Sequence, residues 1–189
     1  MNPSEEKASL RERYRRERKA AFVPRDFLHI LFAPEFTAAR VVASYISIEF
    51  EPVTQTLNKE ILTLGKTLLL PRITSAKKFG GNGASMDWVA WNGASENLKK
   101  NKNLFEPIGD PWQPLSEIDI VITPALRVDG DGYRLGQGGG YYDRALGEIS
   151  GWKIALVHSG ELTSEKLPRE GHDQQVSAAA TPDLLVRFR

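Results

Sequence analysis

Apolar and polar positions alternate along the chain in blocks that predict strands separated by helices. Apolar runs rich in β-branched residues predict strands over residues 40–48, 66–73, 118–124, 152–158 and 184–188, with a shorter one over 86–91. Amphipathic segments predict helices over residues 2–22, over 26–36 with an interruption near Pro34, and over 55–64, and a further helix that begins near Tyr141. Because strands that alternate with helices tend to pair in parallel, the pattern predicts one α/β domain over residues 1–189 with a mostly parallel central sheet.

The first predicted helix has well-defined ends and one basic stripe. Asn2 is suited to cap it, and Glu5 stands three residues later, at the spacing of a capping box. At about 100° per residue, Lys7, Arg11 and Arg18 fall on the same side. A basic stripe on a terminal helix is usually a solvated face. An Arg-rich helix can also serve an RNA-binding module, which would bind in a strongly salt-dependent way, although no RNA-binding motif is recognisable.

Composition and charge exclude several classes of function. The 189 residues carry a formal net charge of +1, which provides no general field for nucleic acid or membranes, so an anion site has to be local. The absence of cysteine excludes disulfides, thiolate metal sites and a cysteine nucleophile. The charged N-terminus lacks the apolar stretch of a signal peptide, and nowhere do 18 apolar residues run together. We therefore predict a cytoplasmic protein with no nucleic-acid or membrane partner.

The most informative segment is a glycine run over residues 134–144, which reads RLGQGGGYYDR. Glycine allows positive φ and a close approach of the main chain to a ligand, and successive N–H groups in such a loop can bind phosphate. Arg134 adds a forked donor for phosphate oxygens, and Asp143 is a suitable ligand for the Mg²⁺ that accompanies a triphosphate. The alternative is a glycine-rich turn with Asp143 in a surface ion pair. Since the spacing is not that of a Walker loop, the residues alone indicate only an anion site.

This run, Arg-Leu-Gly-x-Gly-x-Gly-Tyr-Tyr-Asp, resembles the signature of the 5-formyltetrahydrofolate cyclo-ligase family. The resemblance continues in order along the chain, from Lys7 and Arg11 in the basic first helix, through YISIEFEPVT at residues 45–54, to Lys166-Leu-Pro and Asp173 near the end. It implies a three-layer α/β/α sandwich and, as substrates, ATP with Mg²⁺ and 5-formyltetrahydrofolate. The state of assembly implied is a monomer or a weak homodimer.

The resemblance also implies a role for each matching residue. Catalytic roles fall on Arg134, Gly138, Gly140 and Tyr141, and the two magnesium ligands are Asp143 and Asp173. The folate site comprises Ile46, Glu51 and residues 137–141. The ATP site comprises Lys7, Arg11, Arg134, Leu135, Gly136, Gln137, Gly138, Gly139, Gly140, Tyr141 and Tyr142. Glu51 would accept hydrogen bonds from the pterin amino and ring N–H groups, as a carboxylate can accept two in parallel.

In this family the formyl oxygen attacks the γ-phosphate of ATP, N10 then attacks the activated formyl carbon, and phosphate leaves to give 5,10-methenyltetrahydrofolate. Three residues depart from the common pattern: Val53, Lys102 and Glu161. Of these, Lys102 is expected to alter how the folate ring is held. Val53 and Lys102 keep open a second hypothesis, a catalytically silent folate- or nucleotide-binding regulatory protein of the same fold. The Gly- and Lys-rich segment 74–85 is a candidate lid over the substrate.

Overall fold

A seven-stranded sheet forms the centre of the protein. The computed structural model describes residues 2–74 and 85–188, so most of the candidate lid, residues 75–84, lies outside the described residues. With labels in chain order, the strands are β1 (Val41–Ala43), β2 (Thr67–Thr74), β3 (Ser85–Ala90), β6 (Ile120–Pro124), β9 (Trp152–Leu156), β11 (Ala178–Ala180) and β12 (Leu185–Arg187). Their order is β12-β11-β9-β6-β1-β2-β3. The five inner strands pair in parallel and both edge strands are antiparallel, which confirms a mostly parallel sheet.

Helices cover the first face of this sheet. They are a 3₁₀ helix (Leu28–Phe32), α2 (Pro34–Ala38) and α3 (Gln55–Thr63). Phe36, Leu57 and Ile61 are fully buried in one cluster with Val42 and Ile122 of the sheet. Full burial of a side chain of this size contributes about 1.5–3 kcal/mol.

The second face carries the other outer layer. It contains α4 (Tyr141–Leu146) and a small sheet of β7 (Arg127–Asp129), β8 (Arg134–Leu135) and β10 (Leu162–Thr163). A hairpin of β4 (Leu98–Asn101) and β5 (Leu104–Pro107) lies beside β2. The long helix α1 (Pro3–Ala21) packs on this layer, with Tyr14 buried against Leu126 and Leu135. The arrangement confirms the three-layer α/β/α architecture. None of the helices in the described part of the chain combines the length and apolar character needed to span a bilayer.

Helix α1 begins and ends as its sequence predicts. The Asn2 side chain accepts a hydrogen bond from the Glu5 N–H at 2.9 Å, and the Asn2 N–H donates to Glu5 Oε2 at 3.1 Å, which completes the capping box. The basic stripe is not a solvated face, since Lys7 and Arg18 are buried. Arg18 donates from Nε and Nη2 to the two carboxylate oxygens of Glu161, at 2.8 and 2.6 Å, and also to the Ala125 carbonyl. Glu161, one of the three departures, therefore anchors α1 to the core.

Several predicted boundaries were wrong. The strand over 40–48 ends at Ala43, because the chain then turns away through residues 44–54. The helix over 26–36 is interrupted near Pro34 as predicted, but its first part is only a 3₁₀ turn, and α2 starts at Pro34 since proline suits a first helical turn. The β4–β5 hairpin lies between residues 91 and 118, where the sequence pattern predicted no strand. The sequence pattern missed β11 entirely, because three alanines carry no β-branched signal even though all three are fully buried.

The order of the strands creates a crevice in the sheet. From β1 the chain passes through α3 on the first face to β2, and from β6 it passes through α4 on the second face to β9. These connections lead in opposite directions from two adjacent strands, so β1 and β6 flank a topological switch point. Ligands of open α/β sheets bind outside the carboxyl ends of the strands at such points.

Candidate active site

A cleft of about 510 Å³ lies at this switch point. Its walls come from α1, from the segment after β1, from the carboxyl ends of β2 and β6, from β5 and from the glycine run. All the predicted site residues line it: Lys7, Arg11, Ile46, Glu51, Arg134, Leu135, Gly136, Gln137, Gly138, Gly139, Gly140, Tyr141, Tyr142, Asp143 and Asp173. The fold thus brings together residues that are more than 160 positions apart in the sequence.

Side chains of helix α1 hold the main chain of the glycine run. Arg11 Nε donates to the Gly136 carbonyl at 3.0 Å. One turn further along, Arg15 donates to the main-chain carbonyl of Gln137 at 2.7 Å and to its side-chain carbonyl at 2.8 Å. Gly138 has φ 103°, a value that L side chains rarely adopt. The loop therefore depends on glycine for its shape and on α1 for its position.

Tyr141 lies directly against the loop. A Cβ added to Gly139 would stand 2.7 Å from two atoms of the Tyr141 ring, so only glycine allows this approach. The guanidinium of Arg144 lies 5.4 Å from the centre of the same ring and donates to the Gly139 carbonyl at 3.1 Å. The ring is thereby held at the edge of the cleft, where it can flank a bound planar group.

Arg134 and Asp143 form an ion pair at the base of the loop. Arg134 Nη2 donates to Asp143 Oδ1 at 2.8 Å, and the Arg134 side chain is only 2% exposed. Burial lowers the pKa of Arg134 from its usual value, while the charge of Asp143 raises it. The Gln174 N–H also donates to Asp143 Oδ1, at 3.4 Å. Because the bonds from Arg134 and Gln174 both end on Oδ1, neither of them occupies Oδ2, which can face a cation. The Tyr142 ring lies 5.6 Å from the Arg134 guanidinium, and burial raises the pKa of its hydroxyl.

A second charged cluster joins α1 to the segment before β11. Lys7 Nζ donates to both carboxylate oxygens of Asp173, at 2.8 and 2.5 Å, and to Glu170 Oε2 at 2.8 Å. The Glu170 N–H in turn donates to Asp173 Oδ2 at 2.7 Å. One ligand atom each from Glu170, His172 and Asp173 lies within 4.8 Å of the others. Carboxylate oxygens are the donors that Mg²⁺ prefers, so Asp143 and Asp173 fit the predicted metal role by their chemistry.

Glu51 lies across the cleft on the turn that follows β1. It is 8% exposed and accepts a hydrogen bond on Oε2 from the Ile48 N–H at 3.1 Å. Burial raises the pKa of Glu51 to about 7, although the hydrogen bond from the Ile48 N–H acts in the opposite direction and lowers it. The turn is braced by Thr54, whose hydroxyl donates to the Tyr45 carbonyl at 2.6 Å. A buried carboxylate with spare acceptor capacity is suited to a ligand with polar N–H groups.

The wall between Glu51 and the hairpin is apolar, and of its residues the sequence analysis had predicted only Ile46. It is lined by Ile46, Ile48, Pro71, Ile73, Met86, Leu104 and Phe105. Glu106 is buried behind it and accepts the Ile73 N–H at 2.9 Å. Lys102, expected to affect the folate ring, occupies the exposed hairpin turn with φ 55° and does not line the cleft.

Sequence reasoning also missed two polar residues of the site. Glu170 had a weak signal, since it precedes Asp173 by three residues. Arg15 had a clearer one, because it follows Arg11 by four residues and so faces the same way on a helix. Leu135 was predicted to bind ATP, and its side chain packs in the cluster with Tyr14.

Comparison with known proteins gives a consistent result. The model of the 5-formyltetrahydrofolate cyclo-ligase family matches residues 3–182. The chain is 33% identical over 150 residues to the 5-formyltetrahydrofolate cyclo-ligase of Mycolicibacterium smegmatis, an alignment that covers 77% of this chain and 75% of that protein. It is also 33% identical over 154 residues to the Escherichia coli protein of the same name, with 79% and 81% covered.

Solved structures agree with the sequence relatives. The fold matches Aquifex aeolicus 5,10-methenyltetrahydrofolate synthetase with a TM-score of 0.74 and 30% identity, over 97% of this chain and 93% of that one. A 5,10-methenyltetrahydrofolate synthetase from Mycoplasma pneumoniae matches with a TM-score of 0.63 over 92% and 96% of the two chains, at 17% identity a likeness of fold alone. With a family match over nearly its whole length and relatives at 33% identity, this chain belongs to the 5-formyltetrahydrofolate cyclo-ligase family.

Proposed function

We propose that this chain converts 5-formyltetrahydrofolate to 5,10-methenyltetrahydrofolate with ATP and Mg²⁺, releasing ADP and phosphate. The observation that carries the proposal is the composition of the cleft. Lys7, Arg11 and the glycine run form one end with the carboxylates of Asp143 and Asp173, and an apolar wall beside the buried Glu51 forms the other. A triphosphate suits the first end, and a flat pterin with polar edges suits the second.

The ATP end works by position and charge. Lys7 and Arg11 bind the phosphates, and Arg134 lies at the base of the loop, where charge develops on the transferred phosphoryl group. The glycines at 136 and 138–140 let the main chain approach the phosphate oxygens closely. Phosphoryl transfer needs little covalent help from a protein, since it depends on alignment and on neutralised charge.

Asp143 and Asp173 hold the magnesium ion in this proposal. When bound, Mg²⁺ neutralises charge on the β- and γ-phosphates. Asp143 would contribute Oδ2, which its hydrogen bonds with Arg134 and Gln174 do not use, and Asp173 would contribute the carboxylate that pairs with Lys7. Glu170 also accepts a hydrogen bond from Lys7 Nζ, at 2.8 Å, and so holds this lysine independently of Asp173.

The folate end orients the substrate for the two steps. Glu51 accepts hydrogen bonds from the pterin N–H groups, Ile46 contacts the ring, and Tyr141 flanks it. This orientation presents the formyl oxygen to the γ-phosphorus, so a P–O bond forms as ADP leaves. N10 then attacks the formyl carbon and loses its proton to water, and breaking the C–O bond expels phosphate. We further propose a cytoplasmic location and a monomer or weak homodimer.

The test is an absorbance assay for methenyltetrahydrofolate with 5-formyltetrahydrofolate, ATP and Mg²⁺. We compare the wild type with Asp143→Asn, which keeps a hydrogen-bond acceptor for Arg134 but removes the charge that binds the ion. The expected loss of kcat/KM is at least 100-fold, on the order of 3 kcal/mol of transition-state stabilisation. The matched control is Glu148→Gln, which also replaces a carboxylate by an amide but on an exposed residue just after α4.

Two outcomes would contradict the proposal. If the wild type forms no product but binds ATP, the cleft is a nucleotide site only, and the chain is the silent binding protein of the second hypothesis. If Asp143→Asn retains activity within threefold of the control, the magnesium role assigned to this residue is wrong.

A further inference from the structure

The turn that carries Glu51 is held by a side chain on each side of that residue. The hydroxyl of Tyr45 donates to the Pro52 carbonyl at 3.1 Å, from a nearby position in the same segment. The Nε2 atom of His158 lies 2.9 Å from the Phe50 carbonyl, although the two residues are 108 positions apart in the sequence. Because Glu51 stands between these two carbonyls, the path of the main chain at its carboxylate depends on both contacts.

The contact between His158 and the turn is a hydrogen bond with a defined direction. A carbonyl oxygen can only accept, so the Nε2 atom of His158 must carry a hydrogen and donate it. The neutral ring with its hydrogen on Nε2 and the cationic ring both satisfy this condition. The imidazole therefore donates directly to Phe50, the residue that precedes Glu51.

His158 is itself fixed just after the end of β9. Its N–H donates to Glu161 Oε2 at 2.7 Å, and the Glu161 N–H donates to the His158 carbonyl at 3.0 Å. Arg18 of α1 binds both carboxylate oxygens of Glu161 in the buried ion pair. The imidazole thus projects from a short turn that is anchored both to the sheet and to α1.

Ring packing further restricts the imidazole. Phe22, which caps the C-terminal end of α1, contacts the His158 ring edge to face at a centroid distance of 5.5 Å. It contacts the Phe50 ring in the same way, at 5.4 Å. Aromatic pairs in this geometry attract each other beyond the effect of burial. Phe22 therefore packs against both the donor residue and the acceptor residue of the hydrogen bond.

Local and long-range contacts have different effects on Glu51. Within the turn, Glu51 Oε2 accepts the Ile48 N–H at 3.1 Å, and the Glu51 N–H donates to the Ile48 carbonyl at 3.0 Å. These bonds orient the carboxylate relative to its own turn. The bond from His158 ties the turn to β9 and, through Glu161, to α1, which also carries Lys7 and Arg11 of the ATP end. It consequently sets the position of the carboxylate relative to the rest of the cleft.

We propose that His158 is a positioning residue for the folate substrate, which holds the turn of Glu51 against the sheet. The inference rests on the proposed function, since that function assigns Glu51 to the pterin. His158 does not line the cleft, so it acts on the substrate through the turn. Its loss should weaken folate binding and leave the ATP end, which is built on the glycine run, unchanged.

The experiment separates the hydrogen bond from the ring. His158→Phe keeps an aromatic ring against Phe22 but has no donor for the Phe50 carbonyl. His158→Gln loses the ring, whereas its amide NH₂ group can still donate to that carbonyl. The matched control is His29→Phe, because His29 is also half-buried, lies 3.4 Å from the Leu184 carbonyl and does not line the cleft.

KM for each substrate and kcat are measured at one fixed pH. For His158→Phe we expect KM for 5-formyltetrahydrofolate to rise about three- to tenfold, in line with one lost hydrogen bond. KM for ATP should stay within twofold, and so should kcat, because Glu51 binds the pterin equally before and during the reaction. His158→Gln should bring the folate KM back to within about twofold of the wild type. His29→Phe should leave all three constants within twofold.

A double variant tests whether the effect passes through Glu51. Glu51→Ala removes the acceptor for the pterin, so adding His158→Phe to it should raise the folate KM by less than twofold. If the two changes multiply instead, His158 acts by another route and the proposal is wrong. Urea unfolding curves of every variant establish that each one is folded in the assay.

Three further results would overturn the proposal. In the first, His158→Phe behaves as His29→Phe does. In the second, His158→Gln loses as much folate affinity as His158→Phe, which would mean that the donor has no role. In the third, His158→Phe raises both KM values equally, which describes a protein that is merely loosened.

Failure of the proposed function is distinguishable from these results, because the wild type would then form no methenyltetrahydrofolate. In that case the Kd for 5-formyltetrahydrofolate replaces KM in the same comparison. A wild type that binds no folate overturns both proposals.

Discussion

Replacing Glu51 by glutamine should stabilise the ligand-free protein while weakening folate binding. The carboxylate is 8% exposed, and burial raises its pKa from 4.5 to about 7. The folded protein therefore binds a proton here more tightly than the unfolded chain does. Above pH 7 the ionised group is retained in a poorly solvated position. Glutamine has nearly the same shape, keeps an acceptor for the Ile48 N–H and carries no charge to desolvate.

The magnitude follows from the pKa shift of Glu51. A folded-state pKa raised above the unfolded value means that stability is fully present below about pH 4.5 and is lost as the pH rises through 7. One pKa unit corresponds to about 1.36 kcal/mol, so the complete loss is about 3 kcal/mol. Between pH 5 and pH 8 the difference in unfolding free energy between Glu51→Gln and the wild type should widen by about 2–3 kcal/mol.

Urea unfolding followed by tryptophan fluorescence measures this difference at the two pH values. All other titrating groups are shared by the two proteins, so their effects cancel. Glu148→Gln is the matched control, because it makes the same change at an exposed position that does not contribute to the pKa of Glu51, and it should show little widening. A Glu51→Gln difference that stays constant within about 0.5 kcal/mol, or that narrows at pH 8, would refute the argument from burial. In the folate assay the same variant should raise KM at least tenfold, as it loses a charged acceptor.

Two other substitutions test the packing around the site. Gly139→Ala places a methyl group 2.7 Å from the Tyr141 ring and should raise the folate KM about tenfold or more. The control in the same kinetic assay is Gly130→Ala, because a Cβ added there meets nothing within 4 Å. Arg18→Ala removes the partner of a buried carboxylate and should lower the unfolding free energy by about 3–5 kcal/mol in urea. The exposed Arg16→Ala should cost less than about 0.5 kcal/mol, and equal effects of the two arginine variants would contradict the assigned pairing.

Local features of the sequence predicted much of the fold. The Asn2–Glu5 capping box and the apolar run at 118–124 gave α1 and β6 within a few residues of their observed bounds, because capping and periodicity act over four or five neighbouring positions. The same reasoning failed for β11, which lies between β9 and β12. Its alanines form a strand because β9 and β12 on either side pair with it and its side chains are fully buried, and neither condition is visible locally.

The site residues also divide into those that the sequence located and those that only the structure placed. The glycine run and its family signature located Arg134, Asp143 and the loop directly, since residues that adopt a positive φ are usually glycines. The sequence did not contain the pairing of Lys7 with Asp173, which are 166 positions apart. Only the family resemblance placed Lys7 and Arg11 of the basic stripe at the ATP site, and nothing in the sequence indicated that Arg18 of the same stripe is buried.

By itself the sequence determined the principal helices and most strands of the central sheet, the glycine run and the family. The tertiary structure alone decided that β1 and β6 flank the switch point, and therefore that α1, the Glu51 turn and the glycine run meet in one cleft. It also decided that Arg15 holds Gln137 and that Glu51 is buried. The physical reason is that propensity and capping act between near neighbours, whereas burial and ion pairing depend on which distant segments the sheet brings together.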